Sequence, residues 1–367
     1  NTVTNPLKEI NPTKDVTVKV GGDSIDGKSV YLNHTFLYRL DSSILPPGRA
    51  YQTVTDWGGT DQLATEYDQY LGNWAVYASR DLYRDGQMLA ARGEKIAGSG
   101  FDSSKFGGNL FTVDADDNGK VTVNATQAYL DLVSADNEHE AGWVLYLQCK
   151  RIAVADEVPN TWTETINGQP RESNKVVTKT PDMTPSIHLE KVDTPTLKQD
   201  GQERADRDDP KQALKMDADS IGITFIITNT SKTDPATGDG AWYKASDLNL
   251  ADSTIVGDAH VDMDSLTYPA DWDTLVLKPG ESVSVTGTLK GVKEGDTHTD
   301  RAIVTGTPLV ECAPSNGDPF NDKTDGGEDT DPEYSTGDVT EIDGKQLCAD
   351  TQTTSNTDDW NGYRAKP

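Results

Sequence analysis

Short runs of Val, Ile and Thr in period-two alternation, closed off every few residues by Gly, Pro, Asn or Asp, recur along this chain. Almost nothing in it has helical periodicity. Segments of that kind bury one face and wet the other, so they must pair edge to edge and pack face to face. Strands are predicted near residues 16–20, 35–40, 74–78, 120–123, 143–154, 161–166 and 175–180, and a second set near 187–192, 221–229, 274–277, 282–289 and 302–310. One short helix is expected at 126–134, with Thr126 as its N-cap and Tyr129, Leu132 and Val133 on one face. The expected class is all-β, with two tandem immunoglobulin-like antiparallel sandwiches and little helix.

A chain of 367 residues is about twice a comfortable domain. The stretch Thr180-Pro181-Asp182-Met183-Thr184-Pro185 has proline at two places and no periodicity, so it reads as a junction between units 1–182 and 183–367. Polar, acidic insertions at 198–210 and between Cys312 and Cys348 decorate the second unit. The formal net charge of -28 sets the chain against nucleic acid and anionic membranes as partners, because phosphate would repel it. Acidity alone also fits disorder, but seven Trp, thirteen Tyr and the β-branched runs supply enough apolar material to fold. The longest clean apolar run, 223–227, is far short of a membrane span, and Asn1 opens no signal-peptide pattern. The chain is read as a monomeric part of a longer polypeptide.

Cys312 and Cys348 flank a stretch too polar to organise itself by burial. A disulfide between them would remove roughly 3–4 kcal/mol of loop entropy, and implies an oxidising, extracellular setting. Cys149 lies in the apolar string WVLYLQCKRIAV and reads as a buried, inert thiol.

Several strings in the first half carry a resemblance: NPTKDVTV from Asn11, FLYRLDSSILPPGRAY from Phe36, YDQYLGNWAVYA from Tyr67, YLQCKRIAV from Tyr146, and NTWTETINGQPRESNKVVTKTP from Asn160. Together they resemble the C-terminal domains of the antigen I/II family, the wall-anchored adhesins of oral streptococci and their relatives. The resemblance spans about residues 5–182. Its last string is the most specific, joining an Asn-Gly hairpin turn to a Ser-Asn-x-Val strand. Departures are Cys149, where the family usually has Met, and Thr60-Asp61-Gln62-Leu63, where it is richer in Asp and Tyr. More loosely, SIGITFIITNTS, LVLKPGESVSVTGTL, GDTHTDRAIVTGTP and TDDWNGY resemble immunoglobulin-like repeats of actinobacterial surface proteins.

The first resemblance implies DE-variant immunoglobulin folds stabilised by autocatalytic Lys–Asn isopeptide bonds. It assigns Lys14 as the reactive lysine, Asn174 as the asparagine and Asp61 as the assisting acid. Such chemistry needs a lysine buried enough to be neutral, since only the free amine attacks. It needs a carboxylic acid to help ammonia leave a carboxamide, and a fold that holds the groups together at high effective molarity. The second resemblance implies a further bond from Lys191 to Asp300 or Asn361, with Asp252 as its acid. The bland alternative for Lys191 is a plain ion pair with an aspartate.

Asp114, Asp116 and Asn118, followed by Gly119, copy the first half of a calcium loop, but Ala125 stands where the bidentate Glu belongs, and a hairpin turn is the better reading. Asp358 and Asp359 beside Trp360 are a second calcium candidate. No cofactor is required. Five scattered histidines and the Gly-rich spots form no nucleophile, zinc or phosphate motif, which ranks a glycan-active enzyme below a structural role. The expected role is the stalk of an extracellular, Gram-positive cell-wall adhesin, supporting attachment to host or salivary glycoproteins or to other bacteria. A pilus backbone or tip subunit is the alternative.

Overall fold

The computed structural model describes residues 11–48, 53–194, 207–320 and 339–367. Most of the insertion expected at 198–210 and of the loop closed by Cys312 and Cys348 therefore lies outside the described residues. The chain divides into two compact units, Asn1–Pro181 with Ala313–Thr336 and Asp182–Cys312 with Gly337–Pro367.

The first unit is a sandwich of two five-stranded antiparallel sheets. One runs in the order Thr13–Thr17, Thr35–Asp41, Trp143–Arg151, Asp68–Ala78, Lys95–Gly98. The other runs Gln169–Glu172, Trp162–Ile166, Trp57–Gln62, Lys120–Ala125, Phe111–Ala115. Ala155–Asn160 and Val176–Thr180 pair separately. Between the sheets Trp57, Trp143 and Trp162 pack ring to ring, with Trp143 centroids 6.1 Å from Trp57 and 5.8 Å from Trp162. The Asn-Gly turn is present, with Asn167 and Gly168 both at positive φ (48° and 71°), as a tight hairpin between twisted strands requires.

The strand Trp57–Gln62 escapes propensity reasoning because its second and third residues are glycines. A Cβ on Gly59 would fall 2.4 Å from the Thr163 carbonyl oxygen and 2.8 Å from the Trp162 ring. Glycine is there to let Trp162 lie flat on the neighbouring strand. The predicted strand at 143–154 ends at Arg151. The expected helix forms at Gln127–Ala135, but Thr126 does not cap it with its side chain. Its hydroxyl instead donates to the Asn109 carbonyl oxygen at 2.5 Å.

In the second unit one sheet runs Ile187–Thr194, Ser220–Asn229, Ser282–Lys290, His260–Val261. The facing sheet runs Leu214–Lys215, Asp358–Tyr363, Thr297–Gly306, Asn249–Val256, antiparallel except for its first short pair. Ile223, Phe225, Ile227, Val285, Val304 and Trp360 fill the space between them. The all-β, immunoglobulin-like class expected from the alternation is what the chain adopts, twice over.

Candidate cross-link sites

Alternation sends every second residue of a strand to the core whatever its chemistry. On Thr13–Thr17 it turns Lys14 inward with Val16, and on Trp57–Gln62 it turns Asp61 inward with Trp57 and Gly59. Both side chains are sealed from solvent, and Lys14 Nζ donates to Asp61 Oδ2 with the centroid of the Tyr38 ring 4.5 Å away. Burial pulls the Lys14 amine below the ordinary lysine range, against the opposing pull of Asp61. Among the described residues the other Asp61 oxygen, Oδ1, accepts no hydrogen bond.

Asn174 is held differently. It is exposed, its Oδ1 accepts from the Lys14 main-chain N–H at 2.8 Å, and its Nδ2 donates to the Lys14 carbonyl oxygen at 2.9 Å. Its carboxamide thus copies a strand residue and pins the main chain of the first strand, while the Lys14 ammonium points away to Asp61. The expected trio comes together only in part: Lys14 with Asp61 through side chains, Lys14 with Asn174 through the main chain.

A second asparagine, absent from the sequence reasoning, sits deeper. Asn160 ends the strand Ala155–Asn160, is 5% exposed, and neither its Oδ1 nor its Nδ2 has a hydrogen-bond partner among the described residues. A buried amide left unpaired costs about 1–3 kcal/mol, so its presence calls for a reason. Counting back by two from the inward-facing Trp162 would have found it.

Nearby, Arg151 is fully buried, bonding Asp68 at 2.7 Å and the hydroxyls of Thr178 and Thr180 at 2.7 and 2.6 Å. Asp68 also accepts from Tyr38. This network, invisible from sequence, ties the Lys14 sheet to the strand Val176–Thr180. Cys149 is buried, as expected, and burial pushes its thiol well up.

In the second unit the strand Thr297–Gly306 turns His298, Asp300, Ala302 and Val304 inward. Ile187–Thr194 turns Lys191 in with Ile187 and Leu189. Lys191 Nζ is 2.5 Å from Asp300 Oδ1 and donates to Asp252 Oδ2, so the expected trio Lys191, Asp252 and Asp300 does assemble. His298, not anticipated, adds its Nε2 at 3.2 Å from Asp300 Oδ2. All four side chains are sealed from solvent. Burial raises the Asp252 carboxyl to about 6, with the Lys191 charge opposing and Asp300 adding to the shift. Asn361 is not part of this group: it accepts from Thr299 Oγ1 and donates to the carbonyls of Arg207 and Asp208.

Of the candidate calcium residues, Asp116, Asp358 and Asp359 make side-chain contacts within the protein. Asp116 Oδ1 accepts from the N–H groups of Asn118 and Lys120, closing the hairpin turn between Phe111–Ala115 and Lys120–Ala125, and Asp114 lies on the first of these strands. Asp359 takes Arg301 in a two-point contact at 2.6 and 2.9 Å, and Asp358 accepts from the Lys191 N–H. Cys312 and Cys348 form a disulfide, Cα atoms 4.9 Å apart, at the base where Leu309–Glu311 pairs with Lys345–Ala349.

Residues 11–181 match the family described as cell surface antigen C-terminus. The first unit is similar to that family over these residues. The aggregation substance of Enterococcus faecalis is 35% identical over 185 residues, which are 50% of this chain and 13% of that relative. The chain therefore spans only a small part of the length of the relative it matches. Among solved structures, the C-terminal domain of the antigen I/II-family protein AspA of Streptococcus pyogenes is 28% identical, covering 47% of each chain with a TM-score of 0.40. The C-terminal domain of the AgI/II polypeptide BspA of Streptococcus agalactiae covers 96% of this chain and 99% of its own at 12% identity and a TM-score of 0.41. A cell-surface antigen domain of this kind is extracellular and adhesin-like. Among the described residues no helix is long and apolar enough to cross a membrane.

Proposed function

We propose that this chain is a force-carrying C-terminal segment of a wall-attached adhesin, and that a covalent amide formed once from its own side chains locks each unit. The observation that carries the reading is a lysine in each unit, fully buried on the first strand of the sandwich and in contact with a carboxyl group. A neutral Lys14 amine attacks a side-chain carbonyl carbon across the sandwich. Asp61 takes a proton from the attacking nitrogen and delivers one to the leaving group. Exclusion of water and fixed geometry supply the driving proximity. The reaction runs once per molecule, so the protein is no turnover enzyme. Tension on the ends then falls on a covalent bond instead of on the hydrogen bonds of the first strand, and proteolysis through opened states is suppressed. A stiff segment of this kind would present a distal binding region, as a monomer, to host glycoproteins or to other cells; the name of the enterococcal relative favours cell-to-cell attachment.

Single-molecule pulling tests this. The intact chain should show no unfolding extension from the residues enclosed by each bond, and Lys14→Ala should restore that extension in the first unit alone. Full extension of the unaltered chain would sink the reading.

A further inference from the structure

The two units share a construction that locates the attacked carbonyl in each. In the first, Ser173 Oγ accepts from Trp162 N–H at 3.1 Å and donates to the Asn174 carbonyl at 2.8 Å, while Asn174 grips the main chain of Lys14. In the second, Ser355 Oγ accepts from Val304 N–H at 2.9 Å and donates to the Asn356 carbonyl at 2.7 Å. Asn356 grips the main chain of Leu189 with bonds of 2.8 and 2.9 Å. The Ser-Asn pair is thus the same latch twice. In the second unit its asparagine holds a leucine, so it has no part in the chemistry of a lysine amine.

The acids obey the same geometry. Asp61 lies opposite Trp162 and Asp252 lies opposite Ala302 in strand register. Two residues before each partner, on the same inward face, stand Asn160 and Asp300. Measured from the latch, the lysine of the second unit lies two residues further along its strand, and the acid's partner and Asp300 each lie two residues further back. All the parts shift together, so they stay together. Asp300 at that position is 2.5 Å from the amine of Lys191, and Asn160 at that position is the buried carboxamide with no hydrogen-bond partner.

Resting on the cross-linking reading above, we infer that the acceptors are Asn160 for Lys14 and Asp300 for Lys191, with Asn174 and Asn356 serving as main-chain latches. In the first unit the Lys14 nitrogen bonds to the Asn160 side-chain carbon. The bond from that carbon to the amide nitrogen breaks, and ammonia departs carrying a proton relayed from the amine through Asp61. In the second unit the Lys191 nitrogen bonds to the Asp300 carboxyl carbon and one oxygen leaves as water, its proton relayed through Asp252. His298 orients the Asp300 carboxyl from its other side. No oxidant or other reactant is consumed.

Peptide mapping by tandem mass spectrometry on the reduced, denatured full chain and its variants tests the assignment. The unaltered chain should yield Lys14 joined to Asn160 with ammonia lost, and Lys191 joined to Asp300 with water lost. Asn174→Ala should keep the first bond in full and Asn160→Ala should abolish it. Asn160→Asp guards against a folding failure: its product should have the mass of the unaltered cross-linked chain, because the loss switches from ammonia to water. A first-unit bond that ends at Asn174, or that survives Asn160→Ala, overturns the assignment and leaves the cross-linking reading standing. Absence of any joined peptide in the unaltered chain overturns both.

Discussion

The two units place a buried lysine in the same frame and surround it differently. In the first, Lys14 meets one carboxylate and a tyrosine ring, with an unpaired carboxamide at the equivalent of the acceptor position. In the second, Lys191 meets two carboxylates and one of these meets a histidine. Alternation and latch thus set where the chemistry sits, while the residue at one inward position sets what is expelled. The difference also makes the two sites unequal in what a lost lysine leaves behind: one buried carboxyl in the first unit, two in the second.

The largest effect that would test this inequality is removal of each lysine. Lys14→Met should destabilise its unit by about 3–5 kcal/mol for stranding a buried partner, with the loss of the covalent closure added to that. Lys191→Met should cost its unit at least as much at neutral pH and recover more on acidification, because two carboxyls can then take up protons. Thermal melts of the separately resolved transitions at two pH values check this, and equal, pH-independent losses would break the comparison. Reduction of Cys312–Cys348 comes next. It should cost the second unit roughly 3–4 kcal/mol and leave the first transition in place, as calorimetry with and without reductant would record.

Smaller effects probe what the units share. Asn174→Ala and Asn356→Ala each remove two hydrogen bonds at equivalent latches, so each should cost its own unit about 1–3 kcal/mol by chemical denaturation. A much larger loss at Asn174 would argue that it does more than hold main chain. The smallest is a change of rate. Asp252 is held near 6 by burial, so its acid form, needed to protonate the departing oxygen, thins out as pH rises above that value. Closure of the second unit during first folding of newly made chain should therefore slow from pH 6 to pH 8 relative to the first. Before closure the sign for stability is the same: a carboxyl raised from 3.8 to about 6 adds stability fully present below 3.8 and lost as pH climbs through 6. Timed mass spectra of chain freshly made by cell-free synthesis at the two pH values would show it.

Much of this was legible in the sequence. Period-two alternation sufficed for the class of fold, and the polar stretch between Cys312 and Cys348 announced its disulfide. Lys14, Asp61, Lys191, Asp252 and Asp300 were nameable through the resemblances carried by the strings around them, since of the five only Lys191 falls inside a strand that alternation predicts. Asn160 was not, since a neutral amide in Val158-Pro159-Asn160-Thr161 looks like any strand end, and only its burial without a partner marks it. Asn174 drew notice through a distinctive string whose conspicuousness is explained equally well by a latch. Gly58 and Gly59 hid the strand that carries Asp61, because the reason for glycine there is the approach of Trp162 from a strand about a hundred residues away. Arg151 and His298 belong to networks assembled from distant segments, which no local window contains.

Covalent closure of both units would show in the intact mass of the fully reduced, denatured chain. The expected mass lies below that of the sequence by one ammonia and one water. A mass equal to that of the sequence would contradict it, leaving Lys14 and Lys191 as buried ion pairs in an adhesin domain held by packing alone.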